Sequence, residues 1–139
     1  MKFLLPALLL FLSPVVTAQR ALNIYGGINR DVYLGCLNCD NYNSNSIWNT
    51  KGLYGSAQNS NSIWNPNGMY GSVTSSTSPF NPTASDPPVI YGKNGSFMGY
   101  FTINEYRSQR AGGQLLLTIY KNYDQIRNDV GRWYEKLFK

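Results

Sequence analysis

The sequence has no histidine among its 139 residues, only two cysteines and only seven acidic side chains. Without histidine it lacks the commonest general base and metal ligand. Two cysteines alone are too few for a zinc site, which needs four ligands. The abundant serines stand in no Gly-x-Ser-x-Gly or Ser-x-x-Lys motif that would supply an activating partner. We therefore favour a protein with no catalytic residue, no metal and no cofactor.

Long hydrophobic runs are missing as well, except at the start of the chain. Met1 and Lys2 precede the apolar stretch 3–12, which is followed by Ser13-Pro14 and by compact residues that end at Ala18. This order is typical of a secretory signal peptide, and the stretch is too short for a transmembrane helix, which needs about 20 apolar residues. We predict a signal peptide at residues 1–18 and an exported protein that is periplasmic or extracellular.

Dense blocks of one charge are also absent. Lysine and arginine outnumber the acids by 12 to 7, for a net charge of +5, but they are spread thinly along the chain. A nucleic-acid surface needs basic residues clustered along a phosphate backbone. We expect a solvated, mildly basic surface, no nucleic-acid partner and at most peripheral attraction to a membrane.

A tandem repeat is the most specific feature that is present. The segment 46–56, SIWNTKGLYGS, recurs as SIWNPNGMYGS at 62–72, and a truncated third copy begins at Ser78. Asn65-Pro66-Asn67-Gly68 has the residue order of a tight turn, so each unit is predicted to be a short strand, a turn and a second short segment. Trp48, Trp64 and Phe80 hold equivalent positions. We predict that they stack in one row within a single compact domain.

The segments around the repeat indicate an α+β fold. Apolar runs at 22–25 and 32–37 predict a hairpin or two successive strands, and those at 89–91 and 97–103, joined through Asn94-Gly95, predict a hairpin. The last part of the chain has helical spacing of apolar residues instead, which predicts one amphipathic helix from about 114 to 138. Its apolar stripe consists of Ile119, Tyr123, Ile126, Val130, Trp133 and Leu137. The expected fold is mainly β, at 19–111, with one C-terminal helix in 112–139.

The two cysteines form the motif Cys36-Leu37-Asn38-Cys39. In an oxidising compartment a local structural disulfide is the favoured interpretation. A catalytic redox pair is the alternative, but such a pair normally precedes a helix, whereas residues 40–44 have the composition of a loop.

Four segments resemble a known family. They are Tyr33-Leu34-Gly35-Cys36-Leu37, the two Ser-Ile-Trp-Asn units, Asp86-Pro87-Pro88-Val89-Ile90 and Gly99-Tyr100-Phe101-Thr102-Ile103-Asn104. Across these segments the chain resembles a family of uncharacterised, mostly bacterial proteins with tandem Ser-x-x-Asn-x-x-Gly-x-Tyr/Phe-Gly-Ser units and a Pro-Pro-Val-Ile hairpin. The resemblance implies no activity and no catalytic residue.

Three functions fit these features. The favoured one is an exported, non-catalytic domain that binds envelope material, either a glycan or an envelope protein. Repeated aromatic rings beside Asn and Ser suit sugar binding, although rings in a fixed register also suit a core. The candidate binding residues are Trp48, Tyr54, Trp64, Tyr70 and Phe80. The alternatives are a wall-polymer hydrolase with an Asp/Glu pair assembled in space, and self-association or partner docking through the helix at 114–138.

Overall fold

The computed structural model describes residues 20–139, so the predicted signal peptide at 1–18 lies outside the described residues. The fold contains a four-stranded antiparallel sheet with strand order β2-β1-β3-β4. Two of its strands precede the repeat and two follow it. Its strands are β1 (Asn23–Gly26), β2 (Val32–Cys36), β3 (Val89–Tyr91) and β4 (Phe97–Tyr100). Two helices follow, α1 (Gln114–Asn128) and α2 (Val130–Phe138). The α+β fold class is confirmed. Among residues 20–139 no helix combines the length and apolar character that crossing a membrane requires.

Both predicted hairpins are present. β1 pairs with β2, and β3 pairs with β4 across a short 3₁₀ turn at Lys93–Gly95, in which Asn94 adopts a φ of 62°. Between the two hairpins, Ile24 lies opposite Ile90, and both side chains point into the core. β4 ends at Tyr100 rather than at residue 103, because Phe101 and Ile103 donate their N–H groups to Pro88 and Pro79 outside the sheet.

The repeat contains no strands within 40–87, which corrects the prediction of short strands in each unit. It forms three stacked coils of 16 residues, at 40–55, 56–71 and 72–87. Consecutive turns make up each coil: Ser46, Asn49 and Gly52 each donate a backbone N–H to the carbonyl three residues earlier, and Ser56 to the carbonyl four residues earlier. Such a chain of turns leaves no segment long enough for a strand. In the third coil Ser78 accepts the N–H of Phe80 at 3.1 Å, as Ser46 and Ser62 do for Trp48 and Trp64, so the third copy keeps the predicted phase.

Serine and asparagine side chains explain why the repeat turns so often. At one corner of each coil Ser46 and Ser62 accept the N–H of Trp48 and Trp64, at 3.0 and 3.1 Å. At the next corner the Asn49 side chain accepts the N–H of Lys51 at 3.1 Å. These local bonds favour turns over strand pairing, because they satisfy backbone donors within two residues.

The predicted row of aromatic rings is confirmed. Ring centroids of Trp48 and Trp64 lie 5.6 Å apart, and those of Trp64 and Phe80 lie 6.0 Å apart. Each indole N–H donates to a carbonyl, from Trp48 to Leu37 at 2.7 Å and from Trp64 to Ile47 at 2.6 Å. Each tryptophan therefore connects its coil to the layer before it.

The predicted single helix is two helices, which corrects the sequence expectation. The break lies at Asp129, whose φ of −157° and ψ of 69° are not helical. Its carboxylate accepts the N–H of Arg132 at 3.3 Å and caps α2.

Both helices cover the aromatic row. The ring of Phe80 stacks on Tyr123 of α1 with centroids 4.4 Å apart, while Trp48 contacts Phe138 of α2 at 5.5 Å. One hydrophobic cluster includes residues of the sheet, the coils and both helices. The stripe predicted from helical spacing therefore packs within its own chain.

The predicted disulfide is present where the sheet passes into the first coil. Cys36 and Cys39 lie at disulfide distance, with Cα atoms 5.6 Å apart. Cys36 exchanges backbone hydrogen bonds with that coil, accepting from Ile47 at 3.0 Å and donating to Asn45 at 2.6 Å. No helix follows the pair, since the next residues form turns. The bridge therefore has the surroundings of a structural link.

The tight path of the chain within each coil predicts a specific sensitivity at the last glycine of the second coil. A Cβ at Gly71 would lie 2.0 Å from the carbonyl oxygen of Asn65, and the equivalent Gly55 has the same clash with Asn49. We expect Gly71→Ala to destabilise the protein by about 3 kcal/mol, since backbone cannot yield as a side chain would. Urea unfolding followed by circular dichroism measures this loss.

Gly131→Ala is the matched control for that measurement. Gly131 lies in α2 with no atom within 4 Å of an added Cβ. Alanine there should stabilise the helix by about 1 kcal/mol. Equal stability of Gly71→Ala and the unsubstituted protein would contradict the close approach of the chain to itself within the second coil.

Candidate functional site

Four of the five candidate binding residues lie in the core. Trp48 is 1% exposed, Trp64 and Phe80 are 0% exposed, and Tyr70 is 7% exposed. Rings this deeply buried present no face to a ligand. Tyr54 is the exception: it is partly exposed, and its ring packs edge-on against Tyr33 at the side of the sheet. A ligand-binding surface must therefore lie outside the buried rings of the repeat, and Tyr54 lies beside the sheet.

The outer face of the sheet has a continuous aromatic surface, which we call the tyrosine face. Strand alternation creates it, since Ile24 and Ile90 point inward and the neighbouring Tyr25 and Tyr91 point outward. Its members are Tyr25, Tyr33, Tyr54, Tyr91, Phe97 and Tyr100. All six retain exposed surface. This face was not predicted from the sequence, because strands of three to five residues carry too little alternation to show which side chains point outward.

The six rings form an unbroken chain of contacts across the sheet. Successive centroids are 5.1 to 6.3 Å apart, in the order Tyr54, Tyr33, Tyr25, Tyr91, Phe97 and Tyr100. Most of these contacts are edge-on or tilted, a geometry that aromatic pairs prefer. The rings hold one another in place, so the surface is ordered before any ligand arrives.

Two arginine side chains lie against the last ring of the tyrosine face. The guanidinium of Arg107 lies 4.4 Å from the centroid of Tyr100, and that of Arg30 lies 5.1 Å from it. Both distances suit a cation–π contact. They place positive charge at the β4 side of the tyrosine face.

An open groove lies beside Tyr25 and Tyr91, which are the two middle rings of the row. Its volume is about 880 Å³, and its walls consist of Arg20, Ala21, Asn23, Tyr25, Tyr91 and the turn at 92–95. Asn23 is oriented by the Tyr33 hydroxyl, which donates to its side-chain oxygen at 2.8 Å. A groove of this size with aromatic walls and a few fixed polar groups is typical of small-ligand sites.

The tyrosine face also changes the acidity of one of its members. Burial raises the pKa of Tyr33 to about 12, and the neighbouring phenols of Tyr25 and Tyr54 add to the effect. Because the neutral phenol is favoured, Tyr33 keeps its proton, and its hydrogen bond to Asn23, throughout the physiological range.

Metal ligands and paired carboxylates are not concentrated in the part of the chain that the structure describes. Across 20–139 no group of three or more Cys, Asp or Glu side chains is placed to hold a metal ion. Five cavities in the same range are each lined by at most one carboxylate. The arrangement suits recognition by rings, amides and cations.

Tyr33 gives a testable pH dependence. A phenol with a higher pKa in the folded than in the unfolded chain stabilises the fold below pH 10, and this contribution is lost as the pH rises from 10 towards 12. In a spectrophotometric titration, the difference in phenolate absorbance between the unsubstituted protein and Tyr33→Phe reports the ionisation of Tyr33. We expect this difference to appear near pH 12. Titration of that difference near pH 10 would show that Tyr33 is not held in the tyrosine face.

Comparison of the chain with models of protein families, with curated proteins and with solved structures finds no match. The family resemblance of the tandem units stays a prediction. The functional proposal therefore rests on the geometry of the tyrosine face and its groove.

Proposed function

We propose that this protein is an exported, non-catalytic domain that binds a polysaccharide of the cell envelope on its tyrosine face. The observation that carries the proposal is the chain of six contacting rings on the outer side of the sheet. Sugar rings have an apolar face of C–H groups that packs on aromatic rings, while their hydroxyls seek hydrogen bonds. The site of binding is thus the sheet and not the buried Trp48, Trp64 and Phe80.

The groove supplies the hydrogen-bonding groups that a sugar-binding site needs beside its aromatic rings. Asn23 has an amide group beside Tyr25 and Tyr91, and the phenol hydroxyls provide further donors and acceptors. These groups are fixed by strands, and strands hold side chains more rigidly than loops do. A polysaccharide lying across several strands would use successive rings for successive sugars.

Export is supported by two features. The apolar start of the chain has the order of a signal peptide, and Cys36 and Cys39 lie at disulfide distance. Disulfides persist mainly in oxidising compartments. Both features fit a protein that meets envelope polymers outside the cytoplasm.

The other two functions have less support. A two-carboxylate hydrolase needs both acids in one cleft, and each of the five cavities is lined by at most one. Assembly through 114–138 needs a free apolar stripe, but Ile119, Ile126 and Val130 are buried in the core of their own chain.

Binding to insoluble polysaccharides tests the proposal. Purified protein is mixed with peptidoglycan, cellulose and chitin, and the free fraction is measured after sedimentation. We expect at least one polymer to retain the protein. The double variant Tyr25→Ala/Tyr91→Ala should weaken retention by about tenfold or more, since two stacking contacts are lost.

Tyr106→Ala is the matched control, because Tyr106 is 88% exposed and lies outside the tyrosine face. It should bind like the unsubstituted protein, and circular dichroism should show both variants folded. Equal retention of the double variant and the control would place binding elsewhere on the molecule. A lack of retention by peptidoglycan, cellulose and chitin, together with no binding of a soluble acidic polysaccharide in affinity electrophoresis, would refute the proposal itself.

A further inference from the structure

Two cations line the groove beside Tyr25 and Tyr91. They are Arg20 and Lys93, and none of the residues that line the groove is acidic. Both side chains are exposed. Within 20–139 neither forms an ion pair, since the one salt bridge there joins Lys139 to Glu135. The groove therefore combines stacking rings with uncompensated positive charge.

The backbones that carry these cations are held in position. Arg20 accepts a hydrogen bond through its carbonyl from the Asn38 amide at 2.9 Å, and Leu22 donates its N–H to the same side chain at 2.8 Å. Lys93 begins the turn between β3 and β4, whose ends are joined by the bond from the N–H of Gly92 to the carbonyl of Ser96 at 2.8 Å. The backbones of Arg20 and Lys93 are thus anchored beside the groove, just before β1 and just after β3.

We infer that the groove takes an acidic polysaccharide whose sugar rings carry carboxylates. This inference rests on the proposed function and names its ligand class. In a uronic acid the carboxylate is attached directly to the sugar ring. One residue can therefore stack on Tyr25 or Tyr91 and present its carboxylate to Arg20 or Lys93. The planar carboxylate matches the fork of a guanidinium. A phosphate that links two sugars lies between the rings and fits this arrangement less well.

Charge complementarity extends beyond the groove. Arg30 and Arg107 lie over Tyr100 at the far side of the tyrosine face. A polymer that runs from the groove towards β4 would meet cations beside Tyr25 and Tyr91, at the middle of the row of rings, and again at Tyr100. Repeated weak contacts of this kind add along a polymer chain.

Polygalacturonate and its methyl ester provide the test, because esterification removes the charge and keeps the sugar rings. Binding is measured by affinity electrophoresis or calorimetry with the purified protein. We expect polygalacturonate to bind about tenfold or more tightly than its methyl ester at low salt. The difference should shrink at 0.5 M NaCl, because salt screens exposed charges.

The variant pair R20Q/K93Q and K51Q/K121Q separates the groove from net charge. Both variants lose two positive charges at exposed positions, but Lys51 and Lys121 do not line the groove. R20Q/K93Q should lose about tenfold in affinity for polygalacturonate and little for the methyl ester, while K51Q/K121Q should lose much less.

The contrary outcomes distinguish failure of the acidic ligand from failure of polysaccharide binding as a whole. Equal binding of polygalacturonate and its ester, with loss of both in Tyr25→Ala/Tyr91→Ala, would overturn the acidic ligand and leave the proposed function intact. Equal losses in R20Q/K93Q and K51Q/K121Q, or equally tight binding of dextran sulfate, would reduce the effect to general charge attraction and also overturn it. No binding of any polysaccharide would overturn the proposed function together with this inference.

Discussion

The indole N–H of each buried tryptophan bonds to the carbonyl of the layer before it, and the stack of coils depends on this bond. Trp48 reaches Leu37 beyond the end of β2, and Trp64 reaches Ile47 in the first coil. A buried N–H without a partner costs about 1 to 3 kcal/mol, so only one spacing of the coils satisfies both indoles. The glycines at 55 and 71 keep each coil compact, because a Cβ there would meet the carbonyl of Asn49 or Asn65 in the same coil. The helices complete the core by covering the ring row with Tyr123 and Phe138.

The aromatic residues fall into two groups, one buried in this core and one on the outer face of the sheet. The rings of Trp48, Trp64 and Phe80 carry the stability, and burying each contributes several kcal/mol before ordering costs are subtracted. Since the inner side of the sheet is occupied by the core, Tyr25 and Tyr91 on its outer side are available for a ligand. The rigid stack behind the sheet keeps them in register. Stability and recognition therefore depend on opposite faces of the same short strands.

Much of the fold was predictable, because its signals are local. Asn94-Gly95 fixes one hairpin, and the 16-residue offset places Trp48 above Trp64. The turns of the repeat were mistaken for strands, since Ile-Trp has β propensity while the bonds from Ser46 and Ser62 to the backbone decide the outcome. The break at Asp129 was hidden by apolar spacing that continues across it. The site was missed for a further reason: in strands this short, only the packed core shows whether Tyr25 or Ile24 points outward.

Tryptophan fluorescence tests the central claim, that the repeated aromatic residues form the core and leave recognition to the sheet. The variant Trp133→Phe removes the partly exposed third tryptophan and leaves only Trp48 and Trp64. We predict emission typical of buried indole, resistance to acrylamide quenching, and no change on adding a polysaccharide that the protein binds. Emission typical of solvated indole, efficient quenching, or direct protection of these two tryptophans by the polysaccharide would contradict the account.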